Sequence, residues 1–166
     1  MPVMFYNDRI LFTASRKVAM DAACCCGPCV ACSGNQPDAT VSVTVNSSCS
    51  NDCQNAAGTY TYQDFADDTN YCYWRWSKDD GSGGRYDLYI YYCKADQTWC
   101  SYIDRWFGPG DHYRYFGGDD NSCSCVSGIT DVTNDLSCTG GHVTGNFSLN
   151  GDAATCSGCT ASVSVG

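Results

Sequence analysis

Five cysteines, Cys24, Cys25, Cys26, Cys29 and Cys32, fall within nine residues of a 166-residue chain that holds fifteen. Three consecutive cysteines do not readily bridge one another, because neighbouring side chains diverge and a disulfide needs its Cβ atoms close together. Their partners are therefore the rest of the domain, a metal ion or another chain. The other ten are Cys49, Cys53, Cys72, Cys93, Cys100, Cys123, Cys125, Cys138, Cys156 and Cys159. Ten cysteines can form five bridges, in far too many connectivities for sequence to choose among. The odd total leaves at least one thiol free, on a metal or paired between molecules.

Structural disulfides are the first reading, and they imply an oxidising mature environment. The alternative is structural zinc, because Cys26-x-x-Cys29-x-x-Cys32 and Cys156-x-x-Cys159 have the spacing by which a tight turn supplies two thiolates. A four-cysteine site would then join Cys29 and Cys32 to Cys156 and Cys159. No other cofactor is expected. Residues 1–20 do not read as an export signal, since Asn7, Asp8, Arg9, Arg16 and Lys17 interrupt any apolar run. Cysteine-rich chains without such a signal suit two settings: metal binding inside a cell, or oxidation after release. No stretch is long enough for a membrane-spanning helix.

All 18 acidic residues are Asp, and Lys17, Lys78 and Lys94 are the only lysines. Scarce Glu and Lys disfavour helices, while the 12 Tyr, 17 Gly and abundant Val, Thr and Ser favour strands joined by turns. The net charge is −9. Residues 1–20 are basic, with Asp8 against Arg9, Arg16 and Lys17, so the body is strongly acidic. An acidic body argues against a nucleic-acid-binding surface, and no nucleic-acid partner is expected.

The chain divides into three parts. Residues 1–22 read as an N-terminal arm. Its apolar residues Phe5, Tyr6, Ile10, Leu11 and Phe12, with Arg16 and Lys17, suit strand addition to a partner or to the domain's own sheet. Residues 23–38 hold the cysteine cluster and a polar linker. Residues 39–166 read as an all-β domain, an antiparallel sandwich or barrel. Thr40–Val45 and Gly58–Tyr62 alternate in the period of a strand. Cys72, Trp74 and Trp76 share one face, as do Tyr86, Leu88, Ile90 and Tyr92. Tyr71, Tyr73, Tyr89 and Tyr91 fall on the opposite face, where they either pack against protein or present rings to a ligand. Further strands are expected over 99–106, 112–116, 143–149 and 160–165. No segment shows a helical period.

No catalytic constellation emerges, and an enzyme is not expected. His112 and His142 lack a triad context. The pairs Asp67–Asp68, Asp79–Asp80 and Asp119–Asp120 have the residue type for acid–base work on a glycan, but each sits in a turn-like stretch.

The layout resembles the small cysteine-rich β proteins encoded by tailed phages and some aquatic bacteria. The matching pieces are Ile10-Leu11-Phe12 with Arg16-Lys17, Met20 to Cys26 with its triple cysteine, Thr40–Val45, Gly58–Thr61 and Ala161–Val165. The resemblance implies a structural virion component in the tail, tail-fibre region or capsid decoration. It implies synthesis in the host cytoplasm and residence in the extracellular particle. The expected partners are other virion proteins and copies of itself, with a host-surface glycan as a further candidate. The alternative is an extracellular filament-forming or glycan-binding module.

Overall fold

The computed structural model describes residues 40–118, 123, 125, 129–139 and 142–166. The arm and the cluster from Cys24 to Cys32 lie outside the described residues, as does Asp119–Asp120.

The elements are β1 (Thr40–Val45), α1 (Asn51–Gln54), β2 (Gly58–Asp67), β3 (Tyr71–Asp79), β4 (Arg85–Cys93), β5 (Thr98–Gly108), β6 (Asp111–Phe116), β7 (Thr130–Asp131), β8 (Leu136–Thr139), β9 (His142–Asn150) and β10 (Thr160–Val165). Every strand pair is antiparallel, in the order β6-β5-β4-β3-β2-β1-β10-β9-β8, with β7 on β5. This is one continuous sheet curled into half a barrel, not two stacked sheets. Bulges at Tyr62/Asp64, Ile103/Asp104 and Trp106/Gly108 help to curl it, since each extra residue bends its strand and increases the twist. The curl brings the end of β6 against the end of β9, where Phe116 bridges Gly151. Gly117 N donates to Asn150 O at 2.7 Å, and Asp152 N donates to Tyr115 O at 2.9 Å.

The alternating residues explain the core. Val41, Val43, Tyr60, Trp74, Trp76, Leu88, Ile90, Leu149, Ala161 and Val163 point into the concave side and are nearly inaccessible to water. Trp74 stacks on Trp99 with centroids 5.7 Å apart. The expected strands are all present, several of them longer than the alternation suggested. The sequence reading missed β7, β8 and α1. Four helical residues are too few to display a period, and α1 forms because Ser50 Oγ accepts from Cys53 N at its first turn.

Four disulfides are defined between described partners: Cys49–Cys159, Cys53–Cys156, Cys93–Cys125 and Cys100–Cys123. Cys72 is disulfide-bonded as well. The first two tie α1 and its approach to the β9–β10 connection. In this disulfide form they take up Cys156 and Cys159, the C-terminal half of the zinc alternative at Cys29, Cys32, Cys156 and Cys159.

Gly151 sits where the curl closes. A Cβ there would collide with the carbonyl oxygen of Cys156, which the Cys53 bridge holds in place. Gly151→Ala is expected to lower stability by about 1–3 kcal/mol, read as a fall in the urea midpoint of the oxidised protein. An unchanged midpoint would show that the closure yields freely.

Candidate functional site

The outward positions of β3, β4 and β5 form a tyrosine layer on the convex side. Register places Tyr73 opposite Tyr91, and Tyr89 opposite Tyr102. Tyr89 stacks on Tyr102 at 4.9 Å, and Tyr71 meets Tyr91 edge-on at 5.3 Å. The hydroxyls of Tyr91 and Tyr102 lie 3.3 Å apart. Cys123, Cys125 and Ile129 pack with this layer, together with Cys93 and Cys100. Tyr91 and Tyr102 are each only 8% exposed, while Tyr71, Tyr73 and Tyr89 are half-buried. Of the two readings for the row Tyr71, Tyr73, Tyr89 and Tyr91, packing against protein describes Tyr91, which Tyr102 of β5 joins.

Two buried carboxylates flank the layer. Asp87 is fully buried and takes hydrogen bonds from Ser77 Oγ and Arg85 Nε, with Arg75 Nη1 at 3.7 Å. Arg75 also grips Asp64 in a two-point bond, at 3.1 and 2.7 Å. Asp104 is 3% exposed and accepts from Arg114 Nε at 2.6 Å. The Arg114 guanidinium lies 3.7 Å from the Tyr102 ring centre. Burial holds the Asp104 carboxyl above its usual range, and the Arg114 charge opposes that rise. Burial and the charge of Asp87 push the Tyr89 phenol up to about 12. Burial also raises Tyr91 and Tyr102. These phenols are neutral at physiological pH and serve as packing surface and hydrogen-bond donors.

A second cluster gathers where α1, the β3–β4 turn and the β5–β6 hairpin meet. Arg105 donates from Nε and Nη2 to Asp80 Oδ2 at 3.2 and 3.0 Å, and from Nη1 to Asp52 Oδ1 at 2.8 Å. Tyr115 OH completes the ring by donating to Asp52 Oδ2 at 2.8 Å. Burial would raise the Asp80 carboxyl. The amides of Ser82 and Gly84 and the Arg105 guanidinium prevail and hold it at about 2.

Beyond this ring the hairpin presents its aromatics. Phe107 and Tyr113 meet edge-on at 5.7 Å and are 46% and 59% exposed. His112 stacks on Trp106 at 4.4 Å, with Arg85 5.4 Å from the same indole. A shallow groove runs along Asp79, Gly84, Arg85, Trp106 and Pro109. Among the described residues, Trp106 Nε1 is a buried donor without an acceptor.

The other predicted candidates are structural where described. Asp67 pairs with Lys94 Nζ at 2.5 Å, and Asp68 Oδ1 accepts from Thr69 N at 2.6 Å. Asp80 caps its own turn. None of these pairs holds two carboxylates free for acid–base work. His142 begins β9. Sequence reasoning missed Asp52, Asp87, Asp104, Arg75, Arg105 and Arg114. The available signal was a lone Asp within a strand, such as Asp87 in Tyr86-Asp87-Leu88, with arginines on neighbouring strands.

Removing Arg114 would leave Asp104 buried without its cation. Arg114→Ala is expected to cost about 3–5 kcal/mol at neutral pH. A carboxyl whose folded pKa is raised favours folding below its ordinary pKa, and that contribution fades as pH rises through the folded value. The deficit of the variant should therefore be smaller at an acidic pH, where Asp104 takes up its proton, than at neutral pH. Urea denaturation at both pH values measures it. An equal deficit at both would assign the loss to packing on Tyr102 instead.

No family model matches the chain, and neither a curated protein nor a solved structure matches it, so the chemistry of these clusters is read from their geometry alone.

Proposed function

We propose that the chain is a non-enzymatic structural component of a tailed-phage virion, in the tail, tail-fibre region or capsid decoration. The arm docks to the assembly and the β domain projects from it. One observation carries this reading. Thr40, where the described domain begins, lies beside the C-terminal end of β10, since Val41 pairs with Val165. Both ends of the domain therefore leave from the same side of the sheet. The bridges at Cys49–Cys159 and Cys53–Cys156 close the opposite ends of β1 and β10. A domain held at one end and stapled at the other can project without fraying.

The charge arrangement supports the same reading. The buried carboxylates Asp87 and Asp104 are engaged by arginines, which is architecture and not a poised acid–base pair. Among the described residues no helix is long and apolar enough to cross a membrane. Disulfides formed after release would harden a particle without an export step.

The alternative, a glycan-binding module, has a specific observation in its favour. Phe107 and Tyr113 are exposed together on one face of the β5–β6 hairpin, and a shallow groove lined by Arg85 and Trp106 lies on its other face. Exposed rings suit the apolar face of a sugar.

The virion reading predicts that this chain is recovered in stoichiometric amounts from purified particles of the virus that encodes it. Deleting residues 1–22 should abolish its incorporation. Its absence from intact particles would sink the proposal. Glycan-array binding that disappears in Tyr113→Ala, with the urea midpoint unchanged, would favour the alternative.

A further inference from the structure

We propose that Cys93, Cys100, Cys123 and Cys125 form, in the reduced chain, a four-thiolate site for a soft divalent cation of the zinc type, and that oxidation converts the same sulfurs into two disulfides. The site is distinct from the N-terminal cysteine cluster and does not depend on the virion reading.

The sheet brings these sulfurs together from two directions. Cys93 lies opposite Thr98 and Cys100 lies opposite Tyr91, so both point to the convex side from neighbouring strands. Cys123 and Cys125 are one residue apart in a segment whose continuation, β7, pairs back onto β5 at Cys100↔Asp131. The bonds run Cys93–Cys125 and Cys100–Cys123. The crossed approaches carry the inference. Cys93 Sγ is 3.3 Å from Cys123 Sγ and 3.9 Å from Cys100 Sγ. The sulfurs of Cys93, Cys123 and Cys125 all lie within 4.8 Å of one another. Two independent disulfides have no need to sit this close. A zinc ion bound to four thiolates at about 2.3 Å sets its sulfurs about 3.8 Å apart. The two distances from Cys93 bracket that spacing, and Cys100, bonded to Cys123, would swing in as the fourth ligand once its disulfide opens.

The surroundings suit a soft cation. Cys93 and Cys100 are inaccessible, Cys123 is 4% exposed, and Tyr91 and Ile129 pack beside them. Sulfur ligands in an apolar setting select zinc over calcium or magnesium, which require oxygen donors. The balance is simple. Two equivalents of a dithiol reductant supply four electrons and four protons, opening both disulfides to four thiols. Zinc then displaces the four protons. In the reverse direction a disulfide oxidant accepts the four electrons and the cation leaves. The crossover onto β5 is thereby held in both redox states, first by metal and then by covalent bonds.

The test uses the full chain, reduced anaerobically and exposed to an alkylating reagent with and without zinc. Peptide mass spectrometry then reads each cysteine separately, which matters because Cys24 to Cys32 offer competing thiols. Zinc should slow alkylation of Cys93, Cys100, Cys123 and Cys125 together, by about tenfold or more. Cobalt(II) should give the visible bands of tetrahedral thiolate coordination. Part of that intensity should disappear in the Cys123→Ser/Cys125→Ser double variant. Equal alkylation of these four residues with and without zinc, or protection confined to other cysteines, would overturn the proposal. The footprint needs no substitution, so a variant that fails to fold does not blunt it.

Discussion

The two bridges between α1 and the β9–β10 connection are the constraint on which the fold most depends. Cys49–Cys159 and Cys53–Cys156 close loops of 110 and 103 residues, almost the whole described domain. Closing a loop of about 100 residues restricts the unfolded chain by roughly 4–5 kcal/mol in the chain-entropy model. The second bridge lies inside the loop closed by the first and contributes less. Their placement has a topological reason. β10 must travel back across the molecule to lie beside β1, and this pairing is among the least local in the sheet. Long-range pairings form late and at high entropic cost, so covalent closure there has most to gain.

Once β1 and β10 are joined, the remaining strands build outward as hairpins. β2 to β6 form a meander whose inner face is made by Trp74, Trp76, Leu88, Ile90 and Ile103. β9 and β8 extend the other edge. The curl lets the far end of this meander touch the start of the β9–β10 connection at Phe116 and Gly151. The ring of Arg105, Asp52, Asp80 and Tyr115 lies just above that seam and joins four elements through charged hydrogen bonds. Stability and shape therefore have different sources. Disulfides and burial hold the sheet together, backbone hydrogen bonds join its edges at Tyr115–Gly117 and Asn150–Asp152, and ion pairs tie α1 and the β3–β4 turn to the hairpin.

Much of the inner face was legible because strand alternation exposes it directly. Val41, Val43 and Val45, or Tyr86, Leu88, Ile90 and Tyr92, need only the two-residue period. The curl was not legible, because bulges at Gln63 and near Phe107 look like ordinary strand positions in sequence. β7, two residues long, has no period to read. The tyrosine row was visible, yet its cover was not, since the approach of Ile129 and Cys123 depends on a crossover that sequence does not encode locally. The carboxylates fared similarly. Paired aspartates drew attention through adjacency, whereas the buried ones, Asp87 and Asp104, stand alone in strands. Their arginine partners lie up to a dozen residues away and become neighbours only through register.

The central claim is that the first and last strands of the domain are covalently stapled through Cys49, Cys53, Cys156 and Cys159. The direct measurement is peptide mass spectrometry of the non-reduced protein, digested at a pH that prevents thiol exchange. The account predicts Cys49–Cys53 and Cys156–Cys159 peptides joined to each other and free of alkylation. Cys156 or Cys159 joined to the Cys24–Cys32 cluster, or recovered as free thiols, would contradict it.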